Sequence, residues 1–204
     1  MNIDASNIDI MAIDKLLWLS SPAFRRNAKK HEALHIGAMQ IGADMARKYP
    51  LDAGDIAGEI LRLGVAAIEH YGQDNDERAY YMPDERKIYL NEAFITLMSD
   101  HFPREYITNA LIAHELFHHI EEALEQPTDY ALSQTYRTFV SPVYRDIAAF
   151  AFANAAIPGM VCQAIDIRWL EMRHPERVPP WAKRFLAALA KSVIMGQAQA
   201  WNDI

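Results

Sequence analysis

Residues 111–120 read Leu-Ile-Ala-His-Glu-Leu-Phe-His-His-Ile. His114 and His118 are four positions apart. On a helix this puts both imidazoles on one face, about 6 Å apart along the axis. Two imidazoles so placed can close on one zinc ion at about 2.0–2.1 Å per bond. Glu115 is turned about 100° from His114, near enough to serve a water on the ion without displacing it. Zinc acidifies such a water toward a pKa of about 7, and a neighbouring carboxylate can take its proton as the oxygen attacks a carbonyl. The pattern points to hydrolysis with Zn2+ as cofactor, His114 and His118 as ligands and Glu115 as general base.

Five residues alone are weak evidence, and the chain holds a second copy, His31-Glu32-Ala33-Leu34-His35. Surroundings separate the two. The first copy follows Leu111, Ile112 and Ala113 and precedes Ile120, so its metal is expected in a dry interior. The second follows Lys29 and Lys30, which repel a cation and favour solvent. His31 and His35 are therefore expected on a half-exposed helix face. The rival account of His114 and His118 is a pair of hydrogen-bonded core histidines, which leaves the acid between them unexplained.

A catalytic zinc needs a third protein ligand and an open position. Glu121 lies about 10 Å along the axis from His114 and is expected to miss the ion, so the third ligand should come from another helix. Asp146 is the preferred candidate. It shares a side with Val143, Ile147, Phe150, Ala153 and Asn154 at helical spacing, and a carboxylate there is costly to bury unless paired or metal-bound. Glu125, Asp129 and Asp166 remain alternatives. Arg145 points too nearly opposite to neutralise Asp146. His119 is expected off the metal face, either supporting the ligands from behind or exposed. Tyr80, Tyr81, Tyr130, Tyr136 and Tyr144 are each able to help an oxyanion, and the sequence does not choose among them.

Helices must position these groups. Ser21-Pro22 is read as opening a long helix to about Lys48, after a loose N-terminal arm. Asp52 is the expected cap of a helix ending near Gly64. Val65–Ile68 is a short apolar run, and residues 79–82 and 87–90 read as two strands around the turn Pro83–Arg86. Asn91 is the expected cap of a short helix. Pro103 begins a helix to about Glu125, and Ser141-Pro142 begins another, stopped by Pro158-Gly159. Two further helices are broken by His174-Pro175 and Pro179-Pro180. The order is helices, a small sheet, then helices, so the fold class is α+β and mainly helical. The 204 residues are read as one domain: an arm over 1–30, a core over 38–158, and C-terminal helices over 159–204 around Trp169, Trp181 and Trp201.

Composition narrows the function. The chain carries 27 acids against 20 bases, a net charge of −7; nucleic-acid binders normally present a basic patch, so none is expected as partner. Arg25, Arg26, Lys29 and Lys30 read as a solvated helix face. The single cysteine, Cys162, excludes an intrachain disulfide and is expected to be a buried, inert thiol. Acids at Asp4, Asp9 and Asp14 stand where a signal peptide carries bases, and no apolar run approaches the roughly 20 residues of a membrane span. A cytoplasmic location is expected.

With these residues in place, the chain resembles the ImmA/IrrE family of zinc metallopeptidase-like domains over roughly residues 38–158. Pro50-Leu51-Asp52 through Ile56-Ala57 to Leu63-Gly64-Val65 looks like the family's helix and its first strand. Lys87-Ile88-Tyr89-Leu90-Asn91 looks like its strand end. Ile112-Ala113-His114-Glu115-Leu116-Phe117-His118 matches its metal helix, although the family often has Gly where Phe117 stands. Asp146 through Phe150-Ala151 looks like the later helix that supplies the third ligand, with its pattern only partly kept. The resemblance implies a zincin-like fold with a small β-sheet, zinc held by His114, His118 and Asp146, and peptide-bond hydrolysis. It further implies a protein or peptide substrate such as a transcriptional regulator. The alternative it leaves open is a zinc-containing regulatory or partner-binding module of the same fold without turnover.

Overall fold

The structure is a computed structural model that describes residues 28–73, 77–124, 142–157, 159–160, 162–173 and 175–177. The chain divides into two compact units, Ala33–Pro158 and the flanking segments Met1–Glu32 with Gly159–Ile204. The elements are α1 (Ala28–Lys48), α2 (Ile56–Leu63), β1 (Ala67–Tyr71), β2 (Ala79–Met82), β3 (Lys87–Asn91), α3 (Glu92–Met98) and α4 (Arg104–His119). A π turn (Ile120–Leu124), α5 (Pro142–Ala156), α6 (Cys162–Arg173) and a 3-10 turn (Pro175–Arg177) follow. The arrangement is α+β and mostly helical. No helix among the described residues is long and apolar enough to cross a membrane.

Local chemistry sets most of the boundaries in the larger unit. The cap of α2 is Asp55, whose Oδ1 accepts the Gly58 N–H at 2.9 Å. Asp52, the expected cap, instead accepts the Gly54 N–H at 2.9 Å in the preceding turn; either carboxylate suits a cap, and the turn between them settles which. Gly64 ends α2 at φ 86°, the left-handed conformation that glycine adopts without strain.

The sheet order is β1-β3-β2, with β1 parallel and β2 antiparallel to β3. The hairpin falls where the turn residues placed it. The five-residue span of β1 goes beyond the apolar run, because Glu69 and His70 are exposed and only pairing to β3 draws them into the sheet. Ile88 and Leu90 are fully buried on the face that packs against α4. Asn91, also fully buried, caps α3 by accepting the Ala93 N–H at 3.0 Å. Its amide donates to the carbonyls of Gln73 and Glu77, both at 2.8 Å, so one side chain ties the β1–β2 loop to the start of α3.

The core centres on α4, which is buried on nearly every side from Tyr106 to His119. On one flank lies the sheet and on the other α5, with Phe117 and Phe152 rings 5.9 Å apart. Burial of α5 exceeds the expected stripe: Ala148, Ala149, Phe152 and Ala153 are all fully buried, so this helix is enclosed rather than amphipathic. Gly42 of α1 explains part of this. A Cβ there would stand 2.1 Å from the Ala148 carbonyl oxygen and 2.8 Å from the Ala151 Cβ. In the smaller unit, α6 buries Cys162, Ala164, Ile165 and Ile167, and Cys162 is a buried thiol outside any disulfide, as its apolar neighbours suggest. Trp181 and Trp201 lie outside the described residues.

Candidate metal centre

The helix α4 presents His114 and His118 toward α5, and Asp146, in the second turn of α5, faces both. Asp146 Oδ1 is 3.9 Å from His114 Nε2 and 3.8 Å from His118 Nε2. Two ligand bonds of about 2 Å each span about 4 Å at most, so these separations suit a shared ion. Among the described residues this is the group of His, Cys, Asp and Glu side chains that could hold a metal, its donor atoms all within 4.8 Å of one another. Two imidazoles and one carboxylate form the nitrogen-and-oxygen donor set of catalytic zinc sites. Of the alternative third ligands, Glu125 and Asp129 lie outside the described residues and Asp166 belongs to the smaller unit.

The site is not the dry interior that Leu111–Ala113 suggested. His114 and His118 keep 14% and 16% of their side-chain exposure, and Asp146 keeps 54%. The histidines are walled by protein and the carboxylate is exposed to solvent. The Phe150 ring, 4.6 Å from that of His114, closes one wall.

Electrostatics differ across the cluster. Burial holds His114 well below the ordinary histidine range, with His118 and Arg78 adding to the effect, so it is neutral and able to coordinate. Its Nδ1 is buried with no hydrogen-bond partner among the described residues, a cost of about 1–3 kcal/mol. Burial also opposes a charge on His118, but the carboxylates of Glu121, Glu115 and Asp146 outweigh it and raise its pKa. Glu121 Oε2 stands 3.8 Å from His118 Nδ1, a charge contact too long for a hydrogen bond. Burial pushes Glu115 up to about 7, against the attraction of His118. A carboxyl there exchanges protons near neutrality. The Tyr81 backbone N–H donates to it.

His119 is the third histidine of this helix, and it is not exposed. It is almost wholly buried, with Nε2 2.8 Å from the Leu63 carbonyl and Nδ1 2.8 Å from the Tyr81 hydroxyl. The carbonyl can only accept, so Nε2 donates, which leaves Nδ1 to accept from the tyrosine. Among the candidate tyrosines, Tyr81 therefore commits its hydroxyl to His119, and Tyr80 stacks on Tyr89 at 4.8 Å. Tyr130 and Tyr136, with the side chain of Tyr144, lie outside the described residues, as do the side chains of His31 and His35.

No protein-family model matches the chain, and comparison with curated proteins and with solved structures gives no significant match.

The surroundings of the cluster add groups that residue spacing did not single out. Arg78, just before β2, acts on His114, Glu115 and Asp146 alike. Glu121 and Arg145 pair beside it, Oε2 accepting from Nε at 2.9 Å and from Nη2 at 2.7 Å. Arg145 pairs with Glu121 and Glu122, and its charge also acts on Asp146; the pair joins the π turn to α5. Nothing in the local sequence signals these contacts, because each crosses between segments distant in the chain.

Proposed function

We propose that the protein is a zinc-dependent metallopeptidase with a zincin-like arrangement, similar to the ImmA/IrrE domains. His114, His118 and Asp146 hold the ion and Glu115 handles the proton. One observation carries this reading: Asp146 Oδ1 stands within 3.9 Å of Nε2 of His114 and 3.8 Å of Nε2 of His118, so the three donor atoms face a common point. A histidine kept for core packing pairs its ring nitrogens with protein hydrogen-bond partners, as His119 does on the same helix. When bound, zinc supplies a Lewis acid that polarises the scissile carbonyl and acidifies the attacking water.

The chain's own residues do the rest. Glu115 accepts the proton of the attacking water and returns it to the leaving amine nitrogen as the C–N bond breaks. The Tyr81 N–H fixes one side of that carboxylate. The Asn91 N–H donates to the Arg78 carbonyl at 2.9 Å, and antiparallel pairing alternates. The main-chain groups of Ala79 and Tyr81 therefore point away from β3, toward α4. With the Tyr81 N–H turned to Glu115, the Ala79 groups and the Tyr81 carbonyl are what this edge of β2 would offer to an extended peptide added as a strand. A protein or peptide substrate follows, and a transcriptional regulator fits the family resemblance.

The deciding experiment is elemental mass spectrometry of the purified protein beside His114→Ala, Asp146→Ala and His35→Ala. The expected result is one zinc per chain, lost in His114→Ala, reduced in Asp146→Ala and kept in His35→Ala. Zinc-free protein after reconstitution overturns the reading. Zinc without cleavage of any member of a peptide library leaves the binding-module alternative.

A further inference from the structure

Glu121 was expected to miss the metal; it stands outside the group of His114, His118 and Asp146 but beside His118. Its side chain is only 9% exposed. Burying a carboxylate is costly, and an ion pair with Arg145 recovers that cost without a large net gain in stability. What the burial does achieve is geometric. His118 stands between two carboxylates, one at each ring nitrogen: Asp146 Oδ1 is 3.8 Å from Nε2 and Glu121 Oε2 is 3.8 Å from Nδ1. Metal-binding imidazoles commonly direct their second nitrogen at a carboxylate, which sets the ring's tautomer and orientation. Glu121 stands on that side of the ring, at the distance of a charge contact rather than a hydrogen bond.

The same oxygen, Oε2, takes both bonds from Arg145, and Arg145 Nη2 also donates to Glu122 Oε1 at 2.7 Å. Arg145 immediately precedes Asp146. The guanidinium thus holds the beginning of α5 against the end of the metal helix, at the residue next to the third ligand. The helix passes into π geometry at Ile120, one residue before Glu121, and π turns recur at functional sites.

Resting on the metal reading above, we propose that Glu121 is a positioning residue. Held by Arg145, it orients His118 through Nδ1 and keeps Asp146 in register with the two histidines, so that zinc affinity depends on it.

The test compares zinc dissociation constants, by competition with a chromophoric chelator, for the wild-type chain, Glu121→Gln and Glu122→Gln. Circular dichroism and urea unfolding of the metal-free forms accompany it. Both substitutions remove one carboxylate from Arg145, but only the first removes the charge beside His118. Glu121→Gln is expected to weaken zinc binding about 10–100-fold, and Glu122→Gln much less, at retained helicity. Unchanged affinity in Glu121→Gln overturns the proposal, and so does an equal loss in both variants, which marks a purely structural ion pair. Should Glu121→Gln fail to fold, Arg145→Lys carries the test. It keeps the charge but loses the two-pronged bond, so weakened zinc binding supports the proposal and unchanged binding overturns it. A wild-type chain that binds no zinc overturns the metal centre itself; one that binds zinc with Glu121→Gln unaffected overturns only the role of Glu121.

Discussion

Within two turns of one helix, His114, His118 and His119 meet three different fates. His119 satisfies both ring nitrogens and ties Leu63 to Tyr81. His118 lies between two carboxylates. His114 faces Asp146 with one nitrogen and leaves the other buried and unpaired among the described residues. Spacing alone already separated His119 from the others, since it lies about 100° around the helix from His118, but burial and partners were needed to show what it does instead. Glu115 has the burial and the near-neutral proton affinity of a general base. Glu115→Gln preserves its shape and its bond from the Tyr81 N–H while removing the proton acceptor. The expected outcome is unchanged zinc content with peptide cleavage slowed about 10²–10⁴-fold, read by mass spectrometry of peptide products. Undiminished turnover would remove Glu115 from the mechanism.

At the scale of elements, the site exists because α4 runs between β2 and α5. Tyr81 approaches Glu115 from the sheet and Asp146 approaches the histidines from the helix. The closeness of α5 depends on α1, where Gly42 lets the Ala148 carbonyl and Ala151 come within a distance that a Cβ forbids. Gly42→Ala is expected to push α1 off α5. Because the obstacle is a backbone oxygen rather than a flexible side-chain tip, the cost should resemble core overpacking, about 1–3 kcal/mol. Urea unfolding checks this; a variant as stable as the wild type, or more so from its better helix propensity, would show that the two helices can separate freely. The caps illustrate how far local rules reach. Asn91 and Gly64 perform the roles their residue types suggest, whereas Asp52 and Asp55 compete for one cap and only the turn between them decides.

For the whole molecule, three segments far apart in sequence converge: residues 78–81, 114–121 and 145–146. The zinc ion proposed above, held by two of them, would stabilise the folded chain by linkage. At free zinc of 100 times the dissociation constant the gain is about 2.7 kcal/mol, which for a chain of this size corresponds to roughly 5–10 °C in Tm. Chelation is therefore expected to lower the melting temperature by that amount in the wild type and to leave His114→Ala unmoved. An identical response in both would place the stabilising metal elsewhere. The sequence by itself determined the helical frame, the hairpin and the shared face of His114 and His118, because capping, turn chemistry and helical period act over a few residues. It also pointed to Asp146, which the structure brings to both histidines, but with its carboxylate half exposed rather than buried on an apolar face as the spacing suggested. Only the tertiary structure decided the rest: the β1 pairing, the Tyr81 bonds to His119 and Glu115, the approach of Arg78, and the Glu121–Arg145 pair. Those contacts join segments dozens of residues apart, and their energies depend on burial and distance, which no local pattern of residues encodes.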